Sequence, residues 1–150
     1  MLMVGTEWLV DAAGCRAKAL HDVDVLREVF TRIIANLNLQ PLGEALWHQF
    51  PPPGGVTGLL MLSESHLACH TYPEFGVATF NLYCCRARPA WAWDEQLTEL
   101  LGATSVMVRV VERPLLATPQ PQLKLTSLDD SLAHDSLHVA RANALGGGER

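Results

Sequence analysis

The sequence lacks several features that would assign it to a specialised class of protein. Its longest clean apolar run, residues 59–62, is far too short to cross a membrane. The apolar residues 1–4 are followed at once by polar ones, which predicts neither a signal peptide nor a membrane anchor. The chain has few cysteines, and their spacing predicts no disulfide framework: Cys15, Cys69, Cys84 and Cys85. We therefore expect a reduced, cytoplasmic protein with no membrane partner.

Positive charge is also scarce. Eleven Lys and Arg residues stand against 16 Asp and Glu residues, so the formal net charge is −5. Binding to a nucleic-acid backbone needs clustered Lys and Arg, and this balance predicts no nucleic-acid partner. The 49% apolar and 18% charged residues are typical of a globular protein, and 150 residues suffice for one domain with its own core.

The hydrophobic pattern predicts an α+β fold, a two-layer sandwich in which helices cover a mainly antiparallel sheet. Helices are predicted over residues 24–38, with Asp24 as N-cap, and 91–101. Strands are predicted over residues 7–12, 44–50, 57–62, 77–85 and 104–111. Residues 63–71 are expected to be extended or irregular, and residues 72–76 to reverse the chain. The periodicity fades after Pro114, so we predict a domain over 1–114 and a partly irregular C-terminal extension over 115–150.

The strand at 77–85 has the clearest two-residue alternation. One predicted face is apolar and is assigned to the core, with Ala78, Phe80, Leu82 and Cys84. The other face is more polar and carries a thiol, with Thr79, Asn81, Tyr83 and Cys85. This second face is expected to line a site.

Residues 63–74 concentrate reactive side chains, with two serines, two histidines, two glutamates and a cysteine. The simplest interpretation is a polar strand end. A metal site built on His66, His70, Cys69 and Cys85 is a second hypothesis. On a straight strand, however, His66 and His70 would lie about 13 Å apart, so we expect no metal. The third hypothesis is nucleophilic self-processing, in which a serine attacks its own backbone.

The run from Leu62 to Glu74, Leu-Ser-Glu-Ser-His-Leu-Ala-Cys-His-Thr-Tyr-Pro-Glu, closely resembles the processing site of the small bacterial and archaeal S-adenosylmethionine decarboxylases. The similarity begins with His-Gln-Phe at 48–50 and includes Gly-Val-Thr-Gly at 55–58. It reaches Cys85 and continues more loosely to Arg113, so it covers about residues 4–113. The resemblance therefore favours the third hypothesis and implies that the self-processed protein is a pyruvoyl-dependent enzyme.

The resemblance implies that the proenzyme, a zymogen, cuts itself between Glu64 and Ser65. Ser65 would attack the Glu64 carbonyl, and loss of its α-proton would then release the Glu64 carboxylate. The products would be a β chain, residues 1–64, and an α chain, 65–150, that begins with a pyruvoyl cofactor made from Ser65. In such a lyase the ketone forms a Schiff base with the substrate amine and takes up the charge left by CO₂.

Further roles follow from the resemblance, residue by residue. His70 matches the processing base, and Cys85 matches the acid that returns a proton to the substrate carbon. Thr57 matches a serine that assists processing, and its hydroxyl keeps that capacity. For substrate binding, Phe50 matches an aromatic that stacks on adenine, and Glu74 matches a carboxylate that holds ribose hydroxyls.

The implied function is decarboxylation of S-adenosylmethionine, which supplies the aminopropyl donor for spermidine and so serves polyamine biosynthesis. The implied assembly is a homodimer of cleaved protomers, with sites near the interface. Asn81 and Arg86 stand where the family usually has Asp and Gly, which changes the charge near the expected pocket. L-Ornithine or L-arginine is therefore the alternative substrate. An alternative of another class is a non-processing regulatory paralogue that binds an active partner.

Overall fold

Six strands form one antiparallel sheet in the order β2-β3-β4-β5-β1-β6. The computed structural model describes residues 2–116, so the predicted extension lies outside the described residues from 117 onward. The strands are β1 (Met3–Ala13), β2 (Leu46–Gln49), β3 (Val56–Leu62), β4 (Ser65–Tyr72), β5 (Val77–Cys84) and β6 (Ser105–Pro114). The helices are α1 (Ala17–His21), α2 (Val23–Leu37) and α3 (Trp93–Leu101), and a 3₁₀ turn spans Pro73–Phe75.

The core lies between one face of the sheet and the helices. Alternate strand residues such as Val10, Leu67 and Leu82 are fully buried there and join one apolar cluster with helix residues such as Leu26 and Leu97. The alternation predicted for residues 77–84 is confirmed, because the even-numbered side chains of β5 are buried and the odd-numbered ones are partly exposed. The predicted α+β class with an antiparallel sheet is likewise confirmed.

The opposite face of the sheet carries no helix within residues 2–116, and we call it the open face. It presents polar groups such as Glu7 and His70 between exposed apolar side chains. Leu59 and Met61 on β3 are 48% and 64% exposed, respectively. Within the same residues, no helix has the length and apolarity needed to cross a membrane.

Helix α2 begins one residue before its predicted start, and its N-cap is Asp22 rather than Asp24. The Asp22 carboxylate accepts hydrogen bonds from the backbone N–H groups of Asp24 and Val25. Asp24 instead lies in the first turn, where its charge favours the helix dipole. Gly102 ends α3 with a φ of +72°, a left-handed conformation that glycine adopts readily at the end of a helix.

The main difference from the predicted elements is a sixth strand. Residues expected to be extended or irregular form β4, which pairs with β5 along its whole length and with β3 from Ser65 to His70. Leu67, Cys69 and Thr71 point into the core, and the polar and small residues between them had obscured this alternation. The short helix α1 was also missed, because five residues are too few to show helical periodicity.

Candidate active site

The predicted cleavage position lies at a tight turn between β3 and β4. Leu62 pairs with Ser65, so Ser63 and Glu64 are the two residues of the connection. Ser65 has a φ of +149°, a backbone conformation that residues with a side chain rarely adopt. The Glu64 carbonyl oxygen accepts a hydrogen bond of 2.9 Å from the backbone N–H of Cys85. The backbone at Ser65 is therefore strained, and the carbonyl of the peptide bond before it is polarised.

The Glu64 side chain is only 2% exposed, which is unusual for a carboxylate. Its Oε1 lies 2.7 Å from the Arg88 guanidinium, and its Oε2 accepts from the Gln40 backbone N–H at 3.2 Å. Burial acts to raise the pKa of this carboxyl. Hydrogen bonds from Gln40, its own backbone N–H, Ser63 and Arg88 outweigh burial and lower the pKa overall. Glu64 is therefore a fixed anion beside the turn.

Two adjacent cysteines lie beside the same turn, and their environments differ. Cys84 pairs with Ser65 across the sheet, is fully buried, and has its pKa raised to about 11 by that burial. Cys85 follows the end of β5 and is exposed. The exposed thiol is the one available to a substrate, in agreement with the predicted separation of the two cysteines. We call Glu64, Ser65 and Cys85 the turn cluster.

The remaining predicted site residues form a second group around His70. Thr57 and His70 face each other on β3 and β4, with Thr57 Oγ1 3.0 Å from His70 Nδ1. Both line an open cavity of about 430 Å³, together with Phe50 and Glu74. Gly55 forms part of the same wall, where a Cβ would lie 2.0 Å from the Thr71 carbonyl oxygen. We call Phe50, Thr57, His70 and Glu74 the histidine cluster.

The two clusters lie at opposite ends of β4. Ser65 is its first residue, whereas His70 is the sixth, so their backbones are about 16 Å apart along an extended strand. Neither side chain can span that distance. One chain therefore brings Ser65 together with Glu64 and Cys85, and brings His70 together with Thr57, but it does not bring Ser65 to His70.

The residues of the metal hypothesis do not converge. Cys69 is fully buried on the core face of β4, whereas His66 and His70 belong to the open face. Among residues 2–116 there is no group of three or more His, Cys, Asp or Glu side chains arranged to hold a metal ion.

A polar network on the open face was not predicted. His66 Nε2 lies 2.7 Å from Asn81 Oδ1, and Asn81 Nδ2 donates to Glu7 Oε1 at 2.7 Å. Arg113 binds the other Glu7 oxygen at 2.8 Å. Since a carboxylate only accepts, Glu7 fixes the Asn81 amide with its oxygen toward His66, and His66 Nε2 must be the donor. The unusual amide at position 81 was one sign of this network in the sequence.

Comparison with known proteins shows the family of the chain. Residues 6–114 match the family model described as S-adenosylmethionine decarboxylase. The chain is similar to the S-adenosylmethionine decarboxylase proenzyme of Moorella thermoacetica, with 33% identity over 80% of this chain and 95% of that protein. The proenzyme of Pyrococcus abyssi is 36% identical over 73% of this chain and 81% of its own length.

A solved structure is similar as well. The crystal structure of the adenosylmethionine decarboxylase from Aquifex aeolicus VF5 superposes with a TM-score of 0.66 at 28% identity. The match covers 81% of this chain and all of that one. The similarity therefore spans the sheet, the helices and both clusters.

Proposed function

Because the chain belongs to the S-adenosylmethionine decarboxylase family, we propose that it decarboxylates S-adenosylmethionine with a pyruvoyl group formed from its own Ser65. The family, and with it a decarboxylase proenzyme, was predicted from the sequence, and the comparisons confirm that prediction. The observation that carries the proposal for this chain is the strained Ser65 directly after a buried Glu64 at the turn.

The geometry at Ser65 fits conversion into a pyruvoyl group. Cutting the bond before Ser65 removes the backbone torsion that is strained in the intact chain. The Cys85 N–H that binds the Glu64 carbonyl is placed to stabilise negative charge on that oxygen when the Ser65 hydroxyl attacks. The intact chain therefore favours attack at this peptide bond.

A pyruvoyl ketone at position 65 would supply the electron sink that an amino acid needs to lose CO₂. The turn cluster holds the residue that would bear it, since Ser65 pairs with Leu62 on one side and Cys84 on the other. The exposed Cys85 thiol is the proton donor to the substrate carbon in this proposal. Cys84 is unsuited to that role, because its thiol is buried and its pKa is raised.

The histidine cluster acts on a second copy of the chain in this proposal. Its distance of about 16 Å from Ser65 is too great for His70 to remove a proton from Ser65 of its own chain. A twofold homodimer that joins open faces would bring the His70 end of one chain toward the Ser65 end of its partner. Exposed Leu59 and Met61 between the two clusters supply apolar surface for such an interface.

Within the shared site, Thr57 and His70 have distinct tasks. His70 takes the α-proton of Ser65 during processing, and the Thr57 hydroxyl orients its ring through Nδ1. Phe50, 45% exposed at the cavity, offers a stacking surface for adenine. Glu74 at the same cavity offers a carboxylate for ribose hydroxyls.

Intact mass under denaturing conditions tests cleavage directly. We expect two fragments, residues 1–64 and residues 65–150, the second with an N-terminal pyruvoyl mass. Ser65→Ala should remain a single chain of full length. A wild-type chain that stays intact on prolonged incubation would contradict the proposal and favour the regulatory paralogue.

Substrate identity needs a separate assay. Carboxyl-labelled S-adenosylmethionine, L-ornithine and L-arginine should be offered in parallel to the cleaved protein. We expect labelled CO₂ from S-adenosylmethionine. Release of labelled CO₂ from ornithine or arginine alone would still show a decarboxylase, but it would contradict S-adenosylmethionine as the substrate.

A further inference from the structure

Arg88 has a buried donor that makes no hydrogen bond in the described part of the chain. Its side chain is 18% exposed and binds the Glu64 carboxylate at 2.7 Å through one terminal nitrogen. Its Nε is buried, and within residues 2–116 it has no hydrogen-bond acceptor. A buried guanidinium N–H without a partner destabilises the fold, so its retention calls for an acceptor in another state of the molecule.

Each acceptor oxygen of Glu64 already has a partner before cleavage. Oε1 binds Arg88, Oε2 binds the Gln40 N–H, and the carbonyl oxygen binds the Cys85 N–H. The Arg88 Nε makes no hydrogen bond to any of these oxygens. Cleavage provides a further acceptor, because it adds an oxygen and a negative charge to the same residue.

The origin of that oxygen follows from the processing chemistry. Attack by Ser65 Oγ breaks the C–N bond of Glu64–Ser65 and leaves an ester. Removal of the Ser65 α-proton then forms a Cα–Cβ double bond and breaks the Cβ–Oγ bond. The electron pair of that bond stays on oxygen, so Glu64 leaves as an α-carboxylate. Water later converts the new α-chain end to a ketone with loss of ammonia.

We propose that Arg88 is the receptor for the α-carboxylate that cleavage creates on Glu64. Its guanidinium keeps the Glu64 side chain on one nitrogen and offers its unused N–H to the new anion. Arg is suited to hold two carboxylate groups, because its donors form a fixed planar fork. Arg88 thereby stabilises the leaving group and anchors the new C-terminus of the β chain.

This inference rests on the proposed cleavage at Glu64–Ser65, but it predicts more than a structural ion pair would. The pair between Arg88 and the Glu64 side chain exists in the uncut chain. The interaction with the α-carboxylate exists only afterwards. Arg88 should therefore contribute more to the stability of the cleaved protein than to that of uncut Ser65→Ala.

The first experiment measures the rate of cleavage, by intact mass against time after synthesis, in Arg88→Gln and Arg88→Lys. We expect Arg88→Gln to be slower than wild type on the order of tenfold, as loss of one charge-assisted hydrogen bond implies. Arg88→Lys, a point charge without the fork, should be intermediate. Arg27→Gln removes an exposed arginine of α2, outside both clusters, and should cleave at the wild-type rate.

The second experiment compares thermal unfolding of Arg88→Lys in two backgrounds, cleaved and uncut Ser65→Ala. We expect a larger fall in melting temperature for the cleaved protein. Because lysine retains a cation for Glu64, this variant remains informative if Arg88→Gln does not fold. Cleavage at the wild-type rate in both variants, with equal shifts in both backgrounds, would overturn the Arg88 proposal alone. An uncut wild-type chain would overturn the proposed function and this inference together.

Discussion

Ser65 and His70 are the first and sixth residues of the same strand, β4, and point to separate clusters at its two ends. Ser65 belongs with Glu64 and Cys85 at the turn, whereas His70 bonds to Thr57 beside an open cavity. In the proposed function, a second copy of the chain brings the two residues together.

Mixing two inactive chains should restore processing. Ser65→Ala retains the histidine cluster, and His70→Ala retains the turn cluster. Each alone should stay uncut. In an equal mixture of dimers formed at random, about half of the His70→Ala chains meet a Ser65→Ala partner and should be cleaved. Intact mass after co-expression measures this fraction. A mixture as inert as its parts would show that each site is built from one chain.

The Thr57 hydroxyl should set the rate of cleavage through His70. Thr57→Val removes the hydroxyl at similar volume, so His70 Nδ1 loses its partner at 3.0 Å. We expect cleavage to slow by roughly tenfold, since a hydrogen bond that orients a base is lost. Thr57→Ser keeps the hydroxyl without the methyl and should be no slower than wild type. Equal rates in all three proteins would remove Thr57 from processing.

Replacing Cys85 should separate cleavage from turnover. Cys85→Ala keeps the backbone N–H that binds the Glu64 carbonyl, so the chain should still cut itself. Loss of the thiol removes the proton donor, and turnover should fall by roughly 10²–10⁴-fold. The measurements are intact mass and release of labelled CO₂ on the same sample. Undiminished turnover in a fully cleaved sample would exclude Cys85 as the acid.

An aspartate at position 81 should be unfavourable in this chain. Asn81 donates to the Glu7 carboxylate at 2.7 Å, and Asn81→Asp would place two carboxylates in contact. We expect a loss of about 1 kcal/mol in unfolding free energy in the Ser65→Ala background, because Arg113 offsets part of the repulsion. Adding Glu7→Gln should restore the free energy of unfolding to its value before the Asn81→Asp change. If the losses of stability in Asn81→Asp and Glu7→Gln simply add in the double variant, the two side chains do not interact directly.

The buried Glu64 should make the free energy of unfolding depend on pH in the acidic range. Its folded pKa is lower than the ordinary value of 4.5, because the hydrogen bonds from Gln40, Ser63 and Arg88 outweigh burial. The unfolded chain therefore binds the proton first. The stability that Glu64 contributes is complete above that ordinary range and is lost as the pH falls through the lower folded value.

Urea unfolding of Ser65→Ala between neutral and acidic pH measures this dependence. Glu64→Gln in the same background lacks the titrating group and should show a flatter acid limb. At neutral pH it should also be less stable, by about 3 kcal/mol, because Arg88 loses its buried partner. Identical acid limbs would mean that Glu64 is not the group that links stability to protons.

The sequence alone predicted the antiparallel sheet, its apolar face and the self-processing motif. These depend on local patterns, such as the alternation from Ala78 to Cys84 and the run around Ser65, which repeat or recur within a few residues. It did not predict β4, because the small Ala68 and the polar Thr71 weaken the contrast between the two faces. Nor did it predict the five-residue α1.

Only the tertiary structure decided which reactive residues meet. Pairing of β3 with β4 joins Thr57 to His70 and separates both from Ser65, although Ser65 and His70 are neighbours in the motif. The fold also brings Arg88 to Glu64, 24 residues away, and Glu7 to Asn81, 74 residues away. Such contacts depend on strand register and loop closure rather than on spacing along the chain. The sequence therefore determined which reactive groups are available, and the register of the sheet determined which of them lie close enough to act together.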